Sequence, residues 1–104
     1  MSNGIETSIG GGVRIVRFAR PEIRSPLSVS VLGELERIVG ECASDAAIKI
    51  VVFTGTGDVF ASGADLREIA EVTAADAPEF AIRGQHLMQA ISDLPQTTIA
   101  AING

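Results

Sequence analysis

At 104 residues, 46% of them hydrophobic, the chain is of single-domain size, and with no Trp or Tyr and only four Phe it has no aromatic platform on which bases could stack. The single Cys42 excludes an internal disulfide and every multi-cysteine metal motif. No run approaches the ~20 apolar residues of a membrane span, and the first residues carry no basic, apolar leader.

These exclusions point away from nucleic acid, metal and membrane, and toward a reducing, cytoplasmic compartment. The net charge of −5 is uneven: up to Arg24 the four arginines at 14, 17, 20 and 24 face only Glu6 and Glu22, whereas the rest is strongly acidic. A basic N-terminal edge fits a phosphorylated small molecule, but a solvated strand face is the commoner use of such a pattern.

In chain order, Ile5 to Ile9 and Val13 to Phe18 flank Gly10-Gly11-Gly12 and read as a hairpin, because glycines supply the positive φ of a tight turn. Arg17 falls on the Val13/Ile15 face, an imperfect alternation. Pro21 and Pro26 bracket an extended or turning segment. Ser28 is the expected N-cap of a helix whose Val31, Leu32, Leu35, Ile38, Val39 and Cys42 recur at helical spacing. Ile48 to Thr54 is β-branched and apolar apart from Lys49, as expected of a strand buried on both faces, and a helix between aligned strands suggests a βαβ crossover.

A short helix is expected from about Ala64 to Glu71. Thr73 and Asp76 have capping-box spacing before a second helix, on which Phe80, Gly84, Leu87, Met88, Ile91 and Leu94 mark one face and which Pro95 ends. Thr97 to Ile102 is then a strand. An apolar strand of that kind at the end of the chain invites association, so the isolated 104 residues are expected to be weakly stable or oligomeric.

The chemistry-bearing stretch is Gly55 to Glu71, GTGDVFASGADLREIAE. Phe60 stands where a dinucleotide fingerprint needs glycine, and no Gly-Lys-Ser/Thr follows, so nucleotide readings are weak. What remains is a strand, a turn, an apolar anchor in Val59-Phe60, and Ser62-Gly63-Ala64 at an expected helix start. Free N–H groups at such a start suit a carbonyl oxygen that becomes negative during reaction. His86 has no triad or metal spacing around it and reads as a partly exposed helical residue. Glu68 and Glu71 read as solvated helix positions, and Arg83 as a surface or interface charge.

Three ordered motifs resemble the enoyl-CoA hydratase/isomerase family, the crotonase superfamily: Arg20-Pro21-Glu22-x-Arg24-x-x-Leu27-Ser28, then VVFTGTGDVFASGADLREI, then Leu94-Pro95-x-x-x-Ile99-Ala100-Ala101-Ile102-Asn103-Gly104. The resemblance covers almost the whole chain. It implies an α/β fold, a crotonase-like ββα spiral that binds acyl-CoA thioesters and stabilises their enolate through two backbone N–H groups. Residues 1–104 are expected to be the incomplete N-terminal portion of one such domain.

By the same resemblance, Ala64 supplies the first oxyanion donor. Ser62, Ala64 and Leu66 line the adenine pocket, Arg24 and Arg67 lie near the coenzyme phosphates, and Asp65 caps and orients the turn. Coenzyme A enters as part of the substrate, with no separate cofactor and no metal, and the complete form is implied to be a homo-oligomer, a trimer or paired trimers. Where the family often has Arg-Asn-Ala-Leu, this chain has Arg24-Ser25-Pro26-Leu27, and Pro26 lacks a backbone donor. The second donor and the acid–base glutamates of the family are expected beyond Gly104. A non-catalytic CoA-ester binding module, and an interaction fragment that needs a partner chain, are the alternatives.

Overall fold

The computed structural model describes residues 4–104. Strands β1 (Ile5–Gly10) and β2 (Val13–Phe18) pair antiparallel. Gly10 and Val13 close the turn, and Gly11 and Gly12 hold φ of 58° and 79°. Two consecutive residues at positive φ match the twist of the flanking strands, and glycine accepts that conformation without steric cost.

Helix α1 (Val29–Ala43) returns the chain to β3 (Ile50–Thr54), which lies parallel to β2 with Val16 opposite Phe53. Ser28 caps α1, its Oγ accepting the Val31 N–H at 3.3 Å. A second crossover, made of α2 (Leu66–Glu71) and α3 (Ala77–Ser92), leads to β4 (Thr97–Ala101), parallel to β3. The strand order is β1-β2-β3-β4. Among the described residues, no helix is long and apolar enough to cross a membrane.

The core lies on one face of this sheet. Val16, Phe18, Val51 and Phe53 point into it against Leu35, Ile38, Val39 and Cys42 of α1, with Leu87 and Leu94 closing the side under α3. Burying each such aliphatic side chain contributes about 1.5–3 kcal/mol, which makes the α1 stripe the main anchor of the sheet. Alternation also sends Arg14 to this face, where it is 6% exposed. Its Nε donates to Thr7 Oγ1 at 2.7 Å, and its Nη2 reaches Glu41 at 3.3 Å, so the buried charge is partnered at both ends. Arg17 does share the Val13/Ile15 face, but that is the face away from the core.

Three expectations need adjusting. β3 is not buried on both faces: Val51 and Phe53 are buried, whereas Ile50, Val52 and Thr54 stay partly accessible, and β4 is exposed along its whole length. The helices enter the core from one side only, so the second face lacks cover among the described residues. α2 begins at Leu66, not Ala64, because residues 62–64 are drawn into an extended pairing described below. α3 ends at Ser92, three residues before Pro95, and Leu94 is buried just past its end. The Thr73–Asp76 pair does form: Thr73 Oγ1 accepts the Asp76 N–H at 3.2 Å and donates to Asp76 Oδ2 at 2.9 Å, one turn ahead of the helix.

Candidate functional site

β2 and β3 are parallel, so the segments leaving them emerge at the same carboxyl edge of the sheet, the usual place for a ligand crevice in open α/β sheets. The first segment turns sharply. Arg24 and Ser25 hold φ of 67° and 46°, a left-handed conformation costing of order 1–3 kcal/mol per non-glycine residue, which persists only where the surroundings impose it. Here the Ser25 N–H donates to the Arg20 carbonyl at 2.8 Å, and the Arg20 N–H donates to Ser25 Oγ at 3.1 Å. Ser25 is buried as a result, while Arg24 faces solvent.

That turn presents Ser25 and Leu27 to the second segment. The Ser62 N–H donates to the Ser25 carbonyl at 3.3 Å, the Leu27 N–H donates to the Gly63 carbonyl at 2.7 Å, and Leu27 and Ala64 form a parallel bridge. Residues 25 and 27 therefore face residues 62–64, and residue 26 faces away. Pro26 occupies the one position of the three from which no donor is required.

The second segment is braced from behind. Gly55 is crowded so closely that a Cβ there would lie 2.0 Å from the Val59 carbonyl oxygen. Thr56 and Val59 exchange backbone hydrogen bonds of 2.9 and 3.1 Å, Arg17 Nη1 donates to the Gly55 carbonyl at 2.5 Å, and Thr56 Oγ1 donates to the Phe18 carbonyl at 2.8 Å. Phe60 meets Phe18 edge to face, with ring centroids 5.6 Å apart. Asn103 binds the same loop through three hydrogen bonds.

Ala64 is thus the end of an extended segment and not part of the first turn of α2. Among the described residues, its N–H meets no acceptor. It borders an open cavity of about 640 Å³, with Leu27 and Leu32 beside it and Phe80, Gly84 and Met88 of α3 across. The volume is that of an ordinary small-molecule site. Gln85 and Gln89 are its polar side chains, and none of the lining residues is charged. Such a donor beside an apolar space is suited to an oxygen on which negative charge develops.

The neighbouring side chains have different tasks. Asp65, 8% exposed, caps α2: its Oδ1 accepts the Arg67 N–H at 2.9 Å. The Arg67 side chain reaches back to the same carboxylate at 3.4–3.5 Å, and these hydrogen bonds hold the Asp65 carboxyl below the ordinary carboxylate range against the opposing effect of burial. Ser62 and Leu66 are exposed, Leu66 to 79%. Glu68 is not simply solvated: its Oε1 accepts the Val29 N–H at 2.8 Å and ties α2 to the start of α1. Arg83 forms a two-pronged pair with Glu36 at 2.7 and 3.1 Å, and His86 is exposed. No group of three His, Cys, Asp or Glu among the described residues is placed to hold a metal ion.

The structure therefore sets Ser62 and Ala64 against the Ser25–Leu27 segment, which Arg24 precedes, and gives Arg67 to Asp65. Sequence reasoning missed the cavity wall. Phe80, Gly84 and Met88 read only as one face of a helix; Met88 is 49% exposed and all three border the cavity. A glycine in mid-helix was the available signal.

The family model for enoyl-CoA hydratase/isomerase matches residues 8–104, and the chain belongs to that family. It is 32% identical over 95 residues to a short-chain-enoyl-CoA hydratase of Clostridium acetobutylicum, covering 90% of this chain and 36% of the relative. It is likewise 32% identical over 103 residues to a probable enoyl-CoA hydratase of Bacillus subtilis, covering 98% of this chain and 40% of the relative. The crystal structure of an enoyl-CoA hydratase from Bacillus anthracis superposes with a TM-score of 0.90 at 30% identity, over 98% of this chain and 40% of that one. The fold is the N-terminal part of the crotonase fold, and the chain spans about 33–40% of the length of the curated relatives it matches.

Proposed function

We propose that this chain carries the first half of an acyl-CoA thioester site, in which the Ala64 N–H is one of two donors to the thioester oxygen as an enolate forms. The observation that carries this reading is the Ala64 amide itself, free of any acceptor among the described residues and fixed at the cavity edge by the Leu27–Gly63 hydrogen bond. A donor held in place before the reaction needs no reorganisation when charge appears, and each is typically worth about 3 kcal/mol of transition-state stabilisation. Arg24, exposed and without an ion pair among the described residues, is the group we assign to a coenzyme phosphate, with Ser62 and Leu66 at the adenine.

Hydration or isomerisation of an enoyl-CoA is the reaction class, and it also needs a proton donor and acceptor. The carboxylates nearest to Ala64 in sequence are committed elsewhere, Asp65 to the α2 cap and Glu68 to Val29. We therefore expect the 104 residues to bind acyl-CoA without turnover, and the acid–base pair to come from the remainder of a family member. Coenzyme A enters with the substrate, in a cytoplasmic, homo-oligomeric protein.

The test uses Ala64→Pro in a complete form that turns over enoyl-CoA. The substitution removes the N–H while leaving Leu27 its acceptor at Gly63, so turnover of enoyl-CoA should fall at least a hundredfold with acyl-CoA binding still measurable. Ala64→Gly, which keeps the N–H, should stay close to the parent. Equal turnover in the proline variant would remove Ala64 from the mechanism.

A further inference from the structure

We infer that the groove along α3 takes an acyl chain of about ten carbons, and that Gly84 sets this length by leaving the middle of the groove unfilled; this rests on the reading that the Ala64 N–H holds the thioester oxygen. Phe80 and Ala81, Gly84 and Gln85, and Met88 and Gln89 line the cavity from three successive turns of one stripe of α3. The stripe runs roughly 13 Å at about 1.5 Å per residue. An extended alkyl chain advances about 1.3 Å per carbon, given C–C bonds of about 1.5 Å, so the stripe spans about ten carbons.

The lining fits a neutral alkyl occupant. No charged side chain reaches it, and Leu27, Leu32, Phe80 and Met88 supply apolar contact. Ala64 lines the same cavity, so a chain attached to a carbonyl held there enters it directly. Gly84 is the informative position. It is among the poorest helix formers, it stands in the interior of a sixteen-residue helix, and a Cβ built on it meets no atom within 4 Å. Packing against the described residues does not demand glycine there. Space for a ligand does.

The experiment measures dissociation constants of the intact protein for saturated acyl-CoAs of four, six, eight, ten, twelve and fourteen carbons, which bind but do not react. Affinity should rise about two- to fourfold per methylene and level off near ten carbons; the full value for a buried methylene is about fourfold, and the groove is open on one side. Gly84→Leu should fold, since its Cβ has room, and should lower the decanoyl-to-butanoyl affinity ratio at least tenfold. Met88→Ala, altering a half-exposed side chain, should lower the same ratio by a smaller factor and carries the test if the leucine variant is poorly folded. A ratio near one in the parent, or unchanged in both variants, overturns the groove assignment and leaves the oxyanion reading standing. Absence of binding at every chain length overturns both.

Discussion

Asn103 clamps the turn that begins at Gly55. Its Oδ1 accepts the Gly55 N–H at 3.0 Å, while its Nδ2 donates to the carbonyls of Gly57 and Val59 at 2.7 and 3.2 Å. One side-chain amide thus serves a donor and two acceptors in a turn 44–48 residues away, next to the segment that places Ala64. Only an amide offers both functions in that arrangement.

Asn103→Asp should therefore be worse than Asn103→Ala. The carboxylate keeps the Gly55 contact but faces two carbonyl oxygens it cannot bond, whereas alanine lets water replace the lost groups. We expect a loss of about 1–3 kcal/mol for alanine and a larger one for aspartate, read from urea midpoints. Gly55→Ala should be more severe than either, because its methyl would lie 2.0 Å from the Val59 carbonyl oxygen and 2.5 Å from the Phe60 Cα, both backbone atoms. A Gly55→Ala protein as stable as the parent would refute the packing described here.

Pro26→Ala tests whether the departure from Arg-Asn-Ala-Leu matters. Residue 26 faces away from Ser62–Ala64, so a restored N–H adds no bond to the pairing that positions Ala64. Stability should fall by at most about 1 kcal/mol, through greater freedom of the unfolded chain. Acyl-CoA affinity should stay within about twofold. A marked gain in affinity would show that an N–H at position 26 contacts the coenzyme.

Much of this arrangement was legible in the sequence wherever neighbouring residues decide it. Gly10-Gly11-Gly12 implied the hairpin, and Ser28 with the Val31-to-Cys42 stripe implied α1 and its cap. The start of α2 was not legible, because propensity places helix at Ala64 whereas the Leu27 pairing, 37 positions away, holds residues 62–64 extended. Arg14 at the core and Asn103 at the Gly55 turn depend on contacts of the same non-local kind. The groove escaped for another reason: an apolar helix stripe reads alike whether it meets core or ligand.

Asp65 gives the chain an acid-sensitive joint. Arg67, chiefly through its side-chain hydrogen bond, lowers the folded-state pKa of Asp65, so the unfolded chain takes up its proton first as pH falls. The stabilisation is complete above the unfolded value of about 3.9 and is lost as pH drops through the lower folded value. Glu36, lowered by its hydrogen bond from Arg83, acts in the same direction. Asp65→Asn retains a side-chain cap for the Arg67 N–H but cannot titrate. Its urea midpoint should lie below the parent's at pH 7, and the gap should narrow as the pH falls below about 3.9. Parallel pH curves would show that Asp65 does not titrate differently on folding.

Glu68 joins α2 to α1, and the consequence should appear in how firmly α2 is held. Its carboxylate receives the Val29 N–H at the start of α1, where the helix dipole favours negative charge. Glu68→Gln keeps an acceptor and loses the charge, while Glu68→Ala loses both. The alanine variant should cost about 1 kcal/mol and the glutamine variant about half as much, with the difference between them shrinking in high salt. Because α2 has only six residues and contributes no fully buried side chain, this hydrogen bond is a large part of what holds it. Hydrogen exchange of residues 66–71 should therefore accelerate in Glu68→Ala while that of residues 35–42 follows only the global change. Uniform acceleration across both helices would mean that α2 is held by the core and not by Glu68.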